Sequence, residues 1–255
     1  MSLSVGSTTF TALEQMKLNP NHPALHEKRT IHPSRVMPVK DDSRLLKPAS
    51  ENRKLGNGNS FILKGKWRGF PLYSLTLQER ATCPKTCDHW DDCYGNGMLF
   101  AHRFEHGPKL VAKLESELEE LARKYPKGFS VRLHVLGDFY SIAYVNFWQM
   151  AMIRFPNLHV YGYTARLPNT AIGKSIAFVR VMFPDRWWIR YSSNEVSNDA
   201  IFATSDPIPG AITCPEMQGK TESCLTCGLC WSVKLPIHFP THTKNRKPKE
   251  LTNGS

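Results

Sequence analysis

Strand-like and helix-like segments alternate through the middle of the chain. The strand-like segments are rich in β-branched and aromatic residues, and the segments between them carry apolar residues at helical spacing and end at prolines. Corresponding strand ends recur at a spacing close to the length of one strand and its crossover helix, which predicts a parallel sheet. The predicted strands are 129–137, 158–165 and 187–193, and the predicted helices are 141–155 and 170–183.

Further elements extend this pattern in both directions. A first strand is predicted at 70–77, directly before a cysteine-rich loop, and a short helix is expected after Met98. An amphipathic helix follows over 108–125, where leucines recur at spacings of three and four. Two weaker strands are predicted at 200–205 and 210–214. About six strands in this order predict an α/β fold, built either as a partial (β/α) barrel or as an open parallel sheet.

The two ends of the chain differ in composition from this core. Residues 1–60 mix Pro, Gly and Asn with charged residues and show no sustained period, which predicts a flexible basic N-terminal arm. We expect the α/β core to span 61–213. Residues 214–255 then form a cysteine-rich loop that binds metal, followed by a basic tail.

The balance of charge favours an anionic partner. The 255 residues include 33 Lys and Arg against 22 Asp and Glu, a formal net charge of +11, and residues 1–70 alone carry 12 basic and 5 acidic side chains. Such a field attracts polyanions, which makes a nucleotide or nucleic acid a candidate substrate or partner. The arm either follows phosphates or only keeps the protein in solution. No apolar run has membrane-spanning length and the N-terminus lacks the layout of a signal peptide, so we expect a cytoplasmic protein with no membrane partner.

The seven cysteines fall into two groups, and clustered thiols in a reducing compartment are typical metal ligands. The first group is Cys83, Cys87 and Cys93, with the spacing C-x₃-C-x₅-C. Three thiolates leave one coordination position open for water, substrate or a cofactor, whereas a structural zinc site normally has four ligands. His89 would supply a fourth ligand if this loop bound zinc instead.

The second cysteine group predicts a four-thiolate centre. It consists of Cys214, which precedes a proline, and of Cys224, Cys227 and Cys230 in a C-x₂-C-x₂-C run. Three closely spaced cysteines and one remote cysteine resemble the ligands of a ferredoxin cluster, which favours iron and sulfide. Zinc bound by the same four residues is the alternative.

Polar residues stand where the predicted strands end, and ligands of parallel sheets bind at that edge. Arg166 follows the third strand and is a candidate for binding a carboxylate, because a guanidinium donates two parallel hydrogen bonds. Arg190 is less well placed for this role, inside a strand. Ser192 is a candidate for a ribose hydroxyl, although Ser-Ser-Asn is also typical of turns. For His134 we expect a structural role.

The first cysteine loop and the end of the second predicted strand resemble the radical S-adenosylmethionine enzymes. In that superfamily three thiolates hold a [4Fe–4S] cluster whose open iron binds the amine and carboxylate of S-adenosylmethionine, and reductive cleavage then gives a 5′-deoxyadenosyl radical. The superfamily usually spaces its cysteines C-x₃-C-x₂-C, and here the second gap is longer. The residues that carry the resemblance are Cys83, Cys87, Cys93, the adjacent Tyr94 and the pair Gly137-Asp138.

The resemblance implies cofactors, partners and residue roles. Cys83, Cys87 and Cys93 would hold one [4Fe–4S] cluster, a second cluster or zinc would occupy the other group, and an electron donor would be a partner. The cofactor S-adenosylmethionine would contact Tyr94, Gly137, Asp138, Arg166 and Ser192.

The chain is also similar to a family of bacteriophage and prophage proteins known as gene product eighty-eight. The similarity extends from SLTLQERATCPKTC to CLTCGLCW and covers most of residues 55–232. Together the two resemblances predict a radical S-adenosylmethionine-like iron–sulfur enzyme of phage type that acts on a nucleotide or nucleic acid. The alternative is a non-enzymatic protein that binds nucleic acid or regulates, stabilised by zinc or by iron–sulfur clusters.

Overall fold

A computed structural model describes residues 16–192 and 200–241, which form a mixed α/β fold around a mostly parallel sheet. The helices are α1 (Pro23–His26), α2 (Pro108–Lys124), α3 (Ile142–Arg154), α4 (Ala171–Met182) and α5 (Cys224–Cys227), with short 3₁₀ turns at Pro33–Arg35, Ala49–Glu51, Tyr94–Gly97 and Leu229–Trp231. The strands are β1 (Val36–Met37), β2 (Lys47–Pro48), β3 (Leu72–Ser74), β4 (Arg103–Phe104), β5 (Phe129–Leu133), β6 (Leu158–Thr164), β7 (Trp187–Ser192), β8 (Ala200–Thr204), β9 (Ile212–Thr213) and β10 (Ile237–Pro240).

Eight of these strands form one open sheet in the order β2-β3-β5-β6-β7-β8-β10-β9. Every neighbouring pair is parallel except β2 with β3, so the predicted parallel sheet is confirmed. The partial barrel is not confirmed, and the strand order runs from β2 at one edge to β9 at the other. The sheet also has more strands than the sequence predicts, since β2 and β10 are short and gain their partners only in the folded chain.

The predicted short helix after Met98 is wrong. A 3₁₀ turn precedes that position, and Arg103–Phe104 forms β4, which pairs in parallel with β1. The reason is tertiary, because the buried Arg103 guanidinium binds backbone carbonyls and a carboxylate that a local helix would not bring to it.

The three long helices cover one face of the sheet. Leu110, Leu114 and Leu118 of α2 pack with Val131 and Leu133 of β5 in the largest apolar core. Ser141 and Thr170 start α3 and α4, because each side chain accepts a hydrogen bond from a backbone N–H one turn ahead, and prolines follow both helices. The helix side of the sheet is therefore largely filled with apolar side chains.

The opposite face of the sheet is covered by irregular chain. Segments around residues 49–70 and 224–231 pack there in a second core, in which the Trp67 and Trp231 rings stack at 5.6 Å. Because side chains alternate along a strand, Arg132 projects to this side while Val131 and Leu133 face the helices. This face and its carboxyl edge hold the candidate site.

Much of the N-terminal region that the sequence predicts as a flexible arm contributes to the core. Leu45, Leu46 and Leu55 are at most 2% exposed, and the Glu117 carboxylate accepts the backbone N–H groups of Leu45 and Leu46 at 2.8 and 2.9 Å. Residues 1–15 of the predicted arm, together with 193–199 and 242–255, lie outside the described residues. The division into an arm, a core and a cysteine-rich segment stays a prediction. None of the helices in the described ranges has the length and apolarity needed to span a membrane.

Candidate functional site

Both cysteine groups line a single cavity of about 290 Å³ at the carboxyl ends of the central strands. The loop after β3 supplies one wall, the ends of β5, β6 and β7 supply the sheet side, and the segment from β9 to the turn after α5 supplies the opposite wall. The parallel sheet thus brings together two groups that are far apart in the chain. The cavity-lining cysteines are Cys83, Cys87, Cys93, Cys214, Cys224, Cys227 and Cys230.

A buried ion pair supports the first cysteine loop. Glu79 accepts Arg103 Nε at 2.7 Å on one oxygen and the Thr30 hydroxyl at 2.6 Å on the other. Arg103 also donates to the Gly95 carbonyl at 2.9 Å, so the pair holds the backbone that follows Cys93. Both charged side chains of the pair are at most 1% exposed. Buried hydrogen bonds and an ion pair therefore hold this loop in place.

Arg80 supports the same loop from within. Its Nε donates to the Trp90 carbonyl at 2.9 Å and its Nη2 donates to Asn96 Oδ1 at 2.7 Å, while its buried Nη1 has no hydrogen-bond partner among the described residues. Burial raises the pKa of the Cys93 thiol, and the charges of Arg80 and Arg103 oppose that rise. The loop thus places fixed positive charge close to a thiol.

Asp138 connects the ends of β5 and β6 beside the first cysteine loop. One carboxylate oxygen accepts the Thr164 hydroxyl at 2.7 Å and the Phe139 N–H at 2.6 Å, and the other accepts the Ala165 N–H at 2.8 Å. Its own N–H donates to the Thr82 hydroxyl, one residue before Cys83, at 3.1 Å. Burial raises the pKa of Asp138 to about 6 against these hydrogen bonds. The carboxylate therefore acts as an internal cross-link at the edge of the cavity.

Gly137 is required by the close approach of the first cysteine loop. Its φ is +83°, and a Cβ at this position would lie 2.6 Å from both the Leu77 Cβ and the Thr82 hydroxyl. A side chain here would push Thr82, and with it the start of the cysteine loop, away from β5.

The second cysteine group is held by the neighbouring backbone. Cys224 donates its N–H to the Lys54 carbonyl at 2.9 Å, and Gly228 ends α5 in the left-handed conformation with φ of 72°. The Tyr163 hydroxyl donates to Cys230 Sγ at 2.9 Å. Arg190 is fully buried and donates to the carbonyls of Cys230, Val233 and Leu235, which fixes the chain after the last cysteine.

Burial disfavours the ionised form of the cavity thiols when no cation is bound. Burial is the main cause that raises the pKa of every cysteine in the cavity, and it raises the pKa of Cys87 and of Cys224 to about 12. Neighbouring thiols within each group add to the effect, because like charges repel. Bound metal removes this penalty, since a coordinated thiol is deprotonated outright.

The side chains of the described residues are not gathered around a single ion. No group of three or more His, Cys, Asp or Glu side chains in these ranges is placed to hold one metal ion. A [4Fe–4S] cluster does not require such a group, because each thiolate binds a different iron atom. His89, the alternative fourth ligand, lines the cavity and its Nδ1 lies 3.0 Å from Asp92 Oδ1.

The structure distributes the predicted cofactor residues unevenly. Tyr94, Gly137, Asp138 and Ser192 line the cavity. Arg166 is not among the described lining residues, and its guanidinium donates to the carbonyls of Phe139 and Thr82 at 2.8 and 2.7 Å. This guanidinium therefore positions the first cysteine loop, and its contact with a cofactor stays a prediction, as do those of the other four residues.

Three further residues that the sequence does not indicate line the cavity, namely Lys54, Arg132 and Tyr163. His134, for which a structural role is expected, also lines it, and its Nε2 lies 3.1 Å from the Tyr144 hydroxyl. Burial lowers the pKa of His134 to about 3, so this imidazole is neutral. Alternation along β5 and β6 was the available signal for Arg132 and Tyr163, but it does not say which face of the sheet holds a site.

Comparisons with known proteins give one family and no close relative. Neither the curated proteins nor the solved structures contain a significant match to this chain. A family model described as gene product 88 matches residues 43–233, which include both cysteine groups and most of the sheet. The match confirms the predicted similarity to that phage protein family, without extending to the radical S-adenosylmethionine enzymes. Because it covers most of the sequence, the chain belongs to the gene product 88 family.

Proposed function

We propose that this protein is an iron–sulfur enzyme of the radical S-adenosylmethionine type, whose cavity binds clusters through the two cysteine groups. The observation that carries the proposal is that all seven cysteines, from two distant parts of the chain, line one cavity at the carboxyl edge of a parallel sheet. That edge is where α/β folds bind ligands and cofactors. Cysteines that served only to pack the core would be expected at scattered positions rather than together around one cavity.

The donor chemistry around the thiols fits iron–sulfur clusters. Such clusters are held by thiolates, and hydrogen bonds to the sulfurs and burial tune them. Here the Gly95 N–H lies 3.4 Å from Cys93 Sγ, and the Tyr163 hydroxyl donates to Cys230 Sγ. Backbone N–H groups also oppose the rise in the pKa of Cys83, Cys87 and Cys227. These donors and the nearby arginines compensate the negative charge of a thiolate-bound centre.

The first group would hold the catalytic centre and the second an additional cluster. Cys83, Cys87 and Cys93 provide three thiolates and leave one coordination position open to the cavity. When bound and reduced, a [4Fe–4S] cluster there supplies the electron that breaks a carbon–sulfur bond of S-adenosylmethionine. Cys214 and the C-x₂-C-x₂-C run provide four thiolates, which suits an auxiliary cluster that anchors substrate or relays electrons.

The remaining cavity residues would position the ligands. The Asp138 carboxylate joins the ends of β5 and β6 through three hydrogen bonds, and its backbone N–H donates to Thr82 beside the cysteine loop. Tyr94 and Ser192 line the same space. The surrounding walls partly cover the thiols, which limits the access of water to the reacting groups. The net charge of +11 favours a nucleotide or nucleic acid as substrate.

Metal analysis of anaerobically purified protein tests the proposal directly. Iron, acid-labile sulfide and zinc are measured on one sample, before and after reconstitution. We expect about four irons per cluster, with matching sulfide and absorption near 400 nm. Incubation with S-adenosylmethionine and dithionite should then release methionine, and Cys93→Ala should abolish this cleavage. The matched variant Cys230→Ala should keep the first centre and lose the second.

A colourless protein with zinc and no iron after reconstitution would overturn the proposal. The alternative function, a zinc-stabilised nucleic-acid-binding protein, would then predict binding of RNA or DNA that weakens steeply with salt and needs no reductant. Iron and sulfide without cleavage of S-adenosylmethionine would instead indicate a redox protein without this catalysis.

A further inference from the structure

We propose that Arg132 is an anion-binding residue on the sheet side of the cavity, where it takes the carboxylate or phosphate group of a small organic ligand. β5 lies between β3 and β6, and the Arg132 carbonyl accepts the Leu75 N–H at 3.2 Å, so the backbone of this residue is fixed. Its side chain projects to the face opposite the helices and lines the cavity. A rigid strand thus presents a guanidinium to the ligand space.

The guanidinium has unused hydrogen-bonding capacity. Its Nε is buried and has no hydrogen-bond partner among the described residues. Its central carbon lies 5.5 Å from the centroid of the Tyr163 ring, which supports the charged plane from one side. A buried donor without a partner is unfavourable, and a guanidinium offers a planar fork of donors that matches carboxylate and phosphate oxygens. A bound anion would accept a hydrogen bond from the buried Nε and would match the geometry of the guanidinium donors.

The carboxylates that line the cavity have other recorded partners. Glu79 binds Arg103, Asp138 accepts three hydrogen bonds at the strand ends, and Glu216 lies 3.8 Å from Lys54 Nζ. No ion pair within the described ranges joins a carboxylate to Arg132. The positive charge of Arg132 is therefore directed to the cavity.

An anion at Arg132 would lie beside the second cysteine group. The Tyr163 ring, which lies 5.5 Å from the guanidinium, donates its hydroxyl to Cys230 Sγ at 2.9 Å, and Arg132, Cys224 and Cys230 line the same cavity. A ligand held here by its anionic group would keep its remaining atoms within the shared cavity, between the two cysteine groups. This inference deepens the proposed function by assigning a substrate class, but it rests on the cavity and not on the identity of the metal.

Titration calorimetry with sodium phosphate and, separately, sodium acetate tests the inference at constant ionic strength. The proteins compared are the wild type, Arg132→Gln, Arg132→Lys and the control Lys174→Gln, which removes a positive charge from the exposed side of α4. We expect the wild type to bind at least one of the two anions, and Lys174→Gln to bind that anion with the same affinity as the wild type. Arg132→Gln should weaken that binding at least tenfold, and Arg132→Lys should weaken it less.

Two results would overturn the inference. One is that the wild type binds neither anion, or that Arg132→Gln binds as tightly as the wild type. The other is that Arg132→Gln or Arg132→Lys folds but loses its metal, because Arg132 would then neutralise the second centre rather than bind a ligand. If Arg132→Gln does not fold, the comparison of Arg132→Lys with the wild type decides. A wild-type protein that contains zinc and no iron refutes the proposed function alone, and the anion titration still tests Arg132.

Discussion

The carboxylate of Asp138 accepts a hydrogen bond from the Thr164 hydroxyl at 2.7 Å, which joins the end of β5 to the end of β6. Both residues are nearly fully buried and both line the cavity. The same carboxylate accepts two backbone N–H groups, and the backbone N–H of Asp138 reaches the residue before Cys83. Asp138 therefore joins the strand ends through its side chain and the first cysteine loop through its backbone N–H.

Removing the Thr164 hydroxyl should weaken this coupling. Thr164→Val leaves one carboxylate oxygen short of a donor in a buried place, so we expect the free energy of unfolding to fall by about 1–3 kcal/mol. Thr164→Ser keeps the hydroxyl and should lose less. Urea denaturation of both variants measures the difference. A loss for Thr164→Val no larger than that for Thr164→Ser, which lacks only the methyl group, would contradict the role of the hydrogen bond.

Two arginines should control the two cysteine groups separately. Arg166 holds the carbonyls of Thr82 and Phe139 beside the first group, and Arg190 holds the carbonyl of Cys230 in the second. We expect Arg166→Gln to lower metal retention in the first group and Arg190→Gln to lower it in the second. Metal content after dialysis against a chelator, measured on the background of Cys93→Ala or Cys230→Ala, assigns each loss. The prediction fails if both arginine variants affect the same group.

Each cysteine group should bind its metal whether or not the other group is occupied, although the two groups share a cavity. Cys93→Ala removes one of three ligands from the first group and should reduce bound metal to that of the second group alone. Cys230→Ala should do the reverse. Elemental analysis of the two variants and the double variant provides the test. Loss of all metal in either single variant would indicate one shared site.

The buried pair of Glu79 and Arg103 should contribute far more to stability than an exposed pair. The side chains of Glu79 and Arg103 are at most 1% exposed, whereas those of Glu120 and Arg44 are about half exposed. Glu79→Gln leaves a buried guanidinium without its counter-charge and should cost about 3–5 kcal/mol. Glu120→Gln, the same chemical change, should cost less than about 1 kcal/mol. Thermal or urea unfolding compares the two, and similar costs would contradict the assigned role.

Stability should fall in mild acid because of His159. This ring packs 5.1 Å from Trp67 and 4.8 Å from Phe70, and burial lowers its pKa from 6.5 to about 4. The unfolded chain therefore binds more protons than the folded chain between these values. The free energy of unfolding should decrease as the pH falls from 6.5 to 4, by up to about 1.4 kcal/mol per pH unit for this group.

A phenylalanine at this position removes the titration but keeps an aromatic ring. His159→Phe should flatten the part of the pH dependence between pH 6.5 and 4 that comes from this histidine. Denaturation at several pH values measures the slope for the variant and the wild type. An unchanged slope would mean that other groups, such as His134 with a pKa of about 3, cause the acid sensitivity.

Several elements of the fold follow from local pattern. The helix over 108–125 was predictable from its leucine spacing and forms over Pro108–Lys124, and the alternation around β5, β6 and β7 predicts the parallel sheet. The composition of residues 16–60 does not indicate which of them are buried, because the apolar residues that anchor this region are spread among polar ones. Their burial depends on contacts with α2 and with the face of the sheet opposite the helices.

The sequence by itself determined the alternation of strands and helices, the two cysteine groups and the positive charge. Each of these depends on residues that are close in the chain, so periodicity and spacing are enough to read them. Only the tertiary structure decided that both groups line one cavity, that Arg166 and Arg190 bind backbone carbonyls, and that Arg132 lines that cavity. These relations join residues that are far apart in sequence, and the parallel crossovers and strand register that bring them together leave no local signature.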